Sequence, residues 1–262
     1  MCELFAISAR QPVCANDHLR VFYQDSVWHP HGWGLSWREG TRVYLHKEPV
    51  RAIDSDYLSE LLERPICSTN VVAHIRNATM GRLTYQNSHP FLLKDKSGCT
   101  WTIAHNGTML DARLVERYKA RAEGDTDSEQ VALYLVDKID DAIAKKGEAL
   151  SFDERFEVLA REVEALSRGE RLNNKLNLLM DDGTYTYLHT NTVNPTLYAR
   201  TSGDAAFFCT RPQPDGDGWQ EVPANRLLAY RNGQPARTAS RHEYSIDEEA
   251  YLQSIAGMSP VS

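Results

Sequence analysis

The spacing of apolar residues changes twice along this chain, and that change limits the possible fold more than any single motif does. Over the first hundred-odd residues the apolar positions come in short runs at 3–9, 31–37, 42–46, 70–75 and 99–104, with a turn at Glu39-Gly40. The runs 70–75 and 99–104 are β-branched and almost wholly apolar, the composition of strands buried on both faces. A short helix over 55–62 and a loop-rich segment, 77–88, interrupt them. Helical spacing then takes over, predicting helices over 111–122, 126–145 and 152–167. In the second of these Val131, Leu135, Ile139 and Ala142 share one stripe. Ser151 with Glu154 makes a capping-box pattern at the start of the third. Strand spacing returns at 176–180 and 185–190, joined across the hairpin turn Asp181-Asp182-Gly183, and continues at 196–201, 205–210 and 226–231. Strands, then helices, then strands predict two sheets with helices over their outer faces rather than alternating βαβ units. The Pro-, Gly- and Asp-rich stretch 211–218 reads as a surface loop, and the tail from 258 as flexible.

Composition removes several functional classes. The net charge is −7 and no basic run stands out, which argues against nucleic-acid or membrane-surface binding. No apolar stretch approaches the roughly 18–20 residues that span a bilayer. Glu3 and Arg10 interrupt any signal-peptide core, so the expected location is the cytoplasm. No glycine-rich phosphate loop follows a strand, which argues against a nucleotide fold. The five cysteines (Cys2, Cys14, Cys67, Cys99 and Cys209) are scattered without a C-x-x-C, which argues against a zinc or thioredoxin motif. They predict free thiols in a reducing compartment, all but Cys2 packed and inert.

Cys2 has a special chemical address. Removal of Met1, which aminopeptidases carry out when a small residue follows, leaves one residue with both a thiol and a free α-amine. That amine has a reference pKa of roughly 7.7–8.0, so it can serve as general base for its own side chain. A strand that merely opens at Cys2 is the alternative. Four polar clusters are each open to two readings. Arg76, in His74-Ile75-Arg76-Asn77-Ala78-Thr79, suits either an ion pair within the protein or a bidentate hold on a ligand carboxylate. His105-Asn106-Gly107 is either an Asn-Gly turn or a pair of donors for an oxyanion. Asp127, in Thr126-Asp127-Ser128-Glu129, either supports a helix start capped by Thr126 or binds an ammonium group. His29-Pro30-His31-Gly32-Trp33-Gly34 lacks further ligands for a metal, and its glycines suit close approach of backbone. His89, in Asn87-Ser88-His89-Pro90-Phe91, reads as a hydrogen-bonded structural histidine beneath the site.

The order of these pieces resembles the glutaminase domain of class II glutamine amidotransferases, which are N-terminal nucleophile hydrolases. The resemblance rests on Cys2, Arg76, Asn106-Gly107 and Asp127 and spans residues 2–257 as one domain. It implies an α+β fold, a four-layer αββα sandwich of two mainly antiparallel sheets. It implies Cys2 as nucleophile, Asn106 and Gly107 as oxyanion donors, and Arg76 and Asp127 as holders of a substrate α-carboxylate and α-ammonium. Thr79 and Trp33 are expected as pocket walls, with no metal or organic cofactor. The implied reaction is hydrolysis of glutamine through a γ-glutamyl thioester, with a separate ammonia-accepting enzyme as the expected partner. Phe208-Cys209-Thr210-Arg211-Pro212 and Trp219-Gln220-Glu221-Val222-Pro223 are similar to the closing strands of stand-alone members. Synthase-fused domains usually carry Trp where this chain has Asn77, and an Arg-Gly-Tyr-Asp-Ser-Ala-Gly loop where it has His31-Gly32-Trp33-Gly34. That departure leaves a second substrate class open, the γ-glutamyl amides handled in ergothioneine and glutathione metabolism. A reading of another class is a non-catalytic partner subunit that binds γ-glutamyl ligands.

Overall fold

Along the first strand, β1 (Glu3–Cys14), Phe5 and Ile7 face one apolar cluster while Leu4 and Ala6 face another. A strand that buries both faces must lie between two layers, and this alternation organises the whole molecule. The computed structural model describes residues 2–214 and 217–258. Met1, residues 215–216 of the expected loop and 259–262 of the expected tail lie outside them.

After β1 come α1 (Asn16–Gln24), β2 (Trp33–Glu39), β3 (Arg42–Glu48), α2 (Asp56–Leu62) and β4 (Cys67–Ile75). The second sheet starts with β5 (Phe91–Lys94) and β6 (Thr100–Thr108), followed by α3 (Asp127–Lys146) and α4 (Phe152–Ser167). Then follow β7 (Lys175–Asp181), β8 (Thr186–His189), β9 (Tyr198–Ser202), β10 (Ala205–Cys209), β11 (Gln220–Glu221), β12 (Leu228–Arg231), β13 (Gln234–Thr238) and α5 (Glu248–Ile255). One sheet has the order β11-β9-β10-β1-β4-β2-β3, the other β13-β12-β8-β7-β6-β5, and every pairing within them is antiparallel. Leu19, Phe22 and Leu58 of α1 and α2 pack on the outer face of the first sheet. Val131, Leu135, Ile139, Phe156 and Leu159 of α3 and α4 pack on the outer face of the second. Leu4, Val72, Ala104, Leu179, Leu188 and Phe208 fill the space between the sheets. The result is the four-layer αββα sandwich.

Local chemistry explains the best-defined helices. Thr126 Oγ1 accepts from Glu129 N–H at the start of α3, and Gly147, at φ +83°, ends it in the left-handed conformation. Ser151 and Glu154 close the full capping box on α4. Two expectations fail. Residues 111–122 form no α-helix: only Glu116–Ala120 makes a 3-10 turn. Val115 and Tyr118, three residues apart, are the buried pair there, a spacing that a three-residue turn satisfies. Asp111 is also drawn out of helical bonding, because its carboxylate accepts from Arg113 and from Glu170 N–H. The second failure concerns the thiols. Cys14 and Cys67 face each other across β1 and β4 and form a disulfide, leaving Cys2, Cys99 and Cys209 free among the described residues. Among those residues no helix is long and apolar enough to cross a membrane.

Candidate active site

Cys2 precedes β1, whose Glu3 lies opposite Ile75, the last residue of β4. The thiol therefore meets the chain just as it leaves that strand. Asn77 N–H donates to Cys2 Sγ at 3.3 Å, and Sγ lies 3.5 Å from the Asn77 carbonyl oxygen, which can accept its proton. Burial pushes the Cys2 thiol above its ordinary pKa, opposed by the Asn77 N–H and by the Arg76 charge. An uncharged thiol at neutral pH needs a base before it can attack.

Cys2, Arg76, Thr79, Gly107 and Asp127 line one narrow cleft of ≈ 30 Å³ between the ends of the two sheets, together with His105 and others. A larger groove of ≈ 440 Å³ lies between α1 and α2 and carries no cysteine.

Arg76 is buried and makes no ion pair among the described residues. Its Nη1 and Nη2 donate to the carbonyls of Arg82 and Met80 at 2.8 and 3.0 Å, so the guanidinium shapes the 77–88 loop while the residue lines the cleft. The far end of that loop is clamped to the start of α3. Asn87 Oδ1 accepts from Asp125 N–H at 2.9 Å, Asp125 Oδ1 accepts from Arg82 N–H at 3.1 Å, and the Asn87 amide bonds the Asp125 carboxylate. Asp127, the first residue of α3, is separate from the cap. Its Oδ2 accepts from Met109 N–H at 2.7 Å and Ser128 Oγ lies 3.4 Å from its Oδ1.

His105-Asn106-Gly107 is no turn: all three residues lie within β6, paired to Leu178, Asn177 and Leu176 of β7. A Cβ on Gly107 would lie 1.9 Å from the Lys175 carbonyl oxygen, so the position suits glycine on steric grounds alone. Asn106 is buried and does not line the cleft, so of the two expected oxyanion donors only Gly107 does. Trp33 is a correction. It is fully buried on the outer side of the first sheet, 6.0 Å from both the Tyr23 and the Tyr57 ring, and cannot wall the cleft. Its neighbour Gly34 faces inward, where a Cβ would lie 1.8 Å from the His89 carbonyl oxygen.

His89 accepts from His105 N–H at 3.4 Å, as a structural histidine should, yet it also lines the cleft. It packs on His74, ring centroids 4.1 Å apart. Burial holds His74, His89 and His105 below the usual imidazole range, which favours their neutral forms. Thr108, Lys175 and Tyr251 escaped the sequence reading. Thr108 Oγ1 sits 3.4 Å from Thr79 Oγ1 and 3.0 Å from the Tyr251 hydroxyl. A lysine opening an otherwise apolar strand was the one available signal. Among the described residues no His, Cys, Asp and Glu group is arranged to hold a metal.

Residues 1–201 match the sequence model of the family described as glutamine amidotransferases class-II. The chain is 29% identical over 196 residues to the Escherichia coli (strain K12) protein named "Putative glutamine amidotransferase YafJ", covering 73% of this chain and 74% of that one. Among solved structures it is similar to glutamine phosphoribosylpyrophosphate (PRPP) amidotransferase from B. subtilis, with a TM-score of 0.65 and 19% identity. That likeness covers 94% of this chain but 50% of the longer enzyme. A "predicted glutamine amidotransferase" from Pseudomonas aeruginosa PA01 aligns with a TM-score of 0.59 and 20% identity, covering 90% of this chain and 100% of that one. At such identities the structural likeness speaks for the fold alone.

Proposed function

Because the chain belongs to the class II glutamine amidotransferases, we propose that it hydrolyses the γ-glutamyl amide of glutamine through a thioester on Cys2. The observation that carries this reading is the convergence of a half-buried thiol, a guanidinium and a carboxylate on one cleft. Arg76 takes the substrate α-carboxylate with the N–H groups not spent on the loop, and Asp127 takes the α-ammonium. Holding both ends of the amino acid sets the γ-carbonyl over Sγ and removes most of the orientational cost of attack. Once Met1 is removed, the α-amine of Cys2 accepts the thiol proton, directly or through water. Sγ attacks, and the Gly107 N–H stabilises the oxyanion, joined by the Asn106 amide if it turns toward the cleft. Ammonia leaves with the transferred proton, and water releases glutamate from the thioester.

Ammonia release makes a separate ammonia-accepting enzyme the natural partner, and the cytoplasm the natural setting. The second substrate class, other γ-glutamyl amides, keeps specific support. Arg76 and Asp127 read only the amino-acid end, while the leaving-group surroundings, Asn77 and His31-Gly32, depart from the synthase-fused pattern. The test is glutamate release by mature enzyme from glutamine and a panel of γ-glutamyl amides, with the γ-glutamyl adduct sought on the Cys2 peptide. Wild type should form the adduct and turn over at least one substrate, and Cys2→Ala should do neither. Hydrolysis that survives Cys2→Ala refutes the mechanism. A folded wild type that binds these compounds without turnover supports the non-catalytic reading instead.

A further inference from the structure

Lys175 opens β7 in register with Thr108, one pair from Gly107, and its side chain is fully buried. A buried ammonium is costly unless it is paired. The partner comes from the C-terminal helix: Glu248 Oε1 lies 3.3 Å from Lys175 Nζ, and the Tyr251 ring centre lies 4.7 Å from it. Tyr251 then reaches the cleft through hydroxyls, bonding Thr108 Oγ1 at 3.0 Å, which sits 3.4 Å from Thr79 Oγ1. Helix α5 is thus joined to the cleft by an ion pair and a hydroxyl chain. It lies outside residues 1–201, the part that matches the family.

We propose that α5 belongs to the active site, and that Lys175, held by Glu248 and Tyr251, is a positioning residue that keeps a cation beside the Cys2 thiol and α-amine. The proposal rests on the reading of Cys2 as nucleophile. Lys175 lies in register with Thr108, whose Oγ1 reaches Thr79, and Thr79 and Gly107 line the cleft together with Cys2. The electrostatic influence of Cys2 on Lys175 and Tyr251 agrees with that placement. Among the described residues, the groups that act on Lys175 include Glu248 and Tyr251 from α5, Cys2 and Glu3 from the start of β1, and His105 from β6. Asp127 of α3 acts on Tyr251 and His105, and Arg76 is a second cation acting on Cys2. Burial lowers the Lys175 pKa, and Glu248 raises it, which favours the charged form. An ammonium beside Cys2 favours the thiolate and disfavours the protonated amine. Both effects serve a residue that must supply nucleophile and base together.

The test measures alkylation of Cys2 by iodoacetamide as a function of pH, read by mass spectrometry on the Cys2 peptide of mature protein. Glutamine hydrolysis is followed over the same pH range. Lys175→Met should raise the alkylation midpoint by about half a unit or more, which slows alkylation about threefold below it. The acid limb of kcat/KM should move up as well, because the amine holds its proton longer. A folded Lys175→Met with the wild-type midpoint overturns the proposal and leaves Lys175 as an anchor for α5. Should Lys175→Met lose its cooperative melt, Glu248→Gln carries the test, since that side chain is 23% exposed and its amide oxygen can still accept from Lys175 Nζ. A midpoint shift of either sign then supports the coupling, and an unchanged midpoint overturns it. Alkylation needs no substrate, so a shift in Cys2 reactivity without amide hydrolysis would refute the proposed function while leaving this coupling in place.

Discussion

Replacing Asp127 by Asn separates recognition of a substrate ammonium from support of the fold. The Asn side chain has nearly the same shape, and its carbonyl oxygen can still accept from Met109 N–H, the 2.7 Å bond that holds the carboxylate in the wild type. The negative charge is what disappears. A hydrogen bond to a charged group contributes about 1.5–3 kcal/mol, which corresponds to a loss of about 10- to 150-fold in kcat/KM for glutamine. The structural cost is smaller. An acidic residue in the first turn of α3 contributes about 0.3–1 kcal/mol through the helix dipole, which lowers Tm by about 1–4 °C. The decisive assay repeats the kinetics with glutaramate, which keeps the amide and the distal carboxylate but lacks the α-amine. Wild type should handle glutaramate about as poorly as Asp127→Asn handles glutamine, and the two proteins should be equal on glutaramate. If the substitution costs the same factor on both substrates, Asp127 acts through Met109 and the β6–α3 junction rather than through the substrate.

Three further outcomes are expected. Protein that retains Met1 should release no glutamate, and aminopeptidase treatment should restore the activity; full activity with Met1 in place rules out the α-amine as base. Gly34→Ala places a Cβ where the His89 carbonyl stands, 1.8 Å away, and should cost about 1–3 kcal/mol or more. Calorimetry should show Tm falling by several degrees, and an unchanged Tm contradicts that close approach. Acid should destabilise the protein through buried neutral histidines. His189 and His242 touch through their Nε2 atoms at 3.0 Å, and burial lowers their pKa values to about 3 and about 4. Folded-state values depressed below about 6.5 mean that this stabilisation is complete above pH ~6.5 and is lost as pH falls toward 4. Each proton taken up on unfolding steepens the loss by about 1.4 kcal/mol per pH unit, so denaturant titrations of His242→Gln should show a shallower pH dependence below 6.5. An identical slope would show that His242 is not among the groups that titrate on unfolding.

What could be read in the residues, and what could not, follows from where each pattern is stored. The α3 stripe and the Ser151–Glu154 box are local, so both were legible. Helix α5 buries only Tyr251 and takes its stability from Lys175 and Thr108, partners far away in sequence. The disulfide joins residues 53 apart through a β1–β4 register that shifts between Ser8 and Val13, a slip no cysteine spacing reveals. Trp33 shows the characteristic error of doubly buried strands. In a strand with one wet face, alternation says which side chains point inward. In β2 Trp33, Leu35 and Trp37 all face the helices while Gly34 faces His89, so the larger residues, the natural candidates for a pocket wall, lie on the wrong side. The residues at the cleft itself were easier, Arg76 above all, because a charged group costs energy at the end of an apolar run. Arg76, Asp127 and Gly107 are buried or sterically confined, and a chain has few structural reasons to place them there together.

The role proposed for Cys2 also poses a mechanical difficulty, since terminal residues fray unless something ties them down. This fold resolves it by making the first strand a central one. β1 is flanked by β10 and β4, so the backbone following Cys2 is held on both sides. The Thr210 hydroxyl accepts from Leu4 N–H at 2.9 Å, while Thr210 N–H donates to the Leu4 carbonyl at 3.1 Å. The Glu3 carboxylate is caught between the Thr210 hydroxyl and His29, whose Nε2 lies 3.5 Å away. Asn77 then brackets Sγ itself. The Phe208-Cys209-Thr210-Arg211-Pro212 segment therefore serves the site without entering it. It fixes Glu3, the residue next to the proposed nucleophile, so that the proposed attack on a bound amide needs no ordering of the terminus at the moment of reaction.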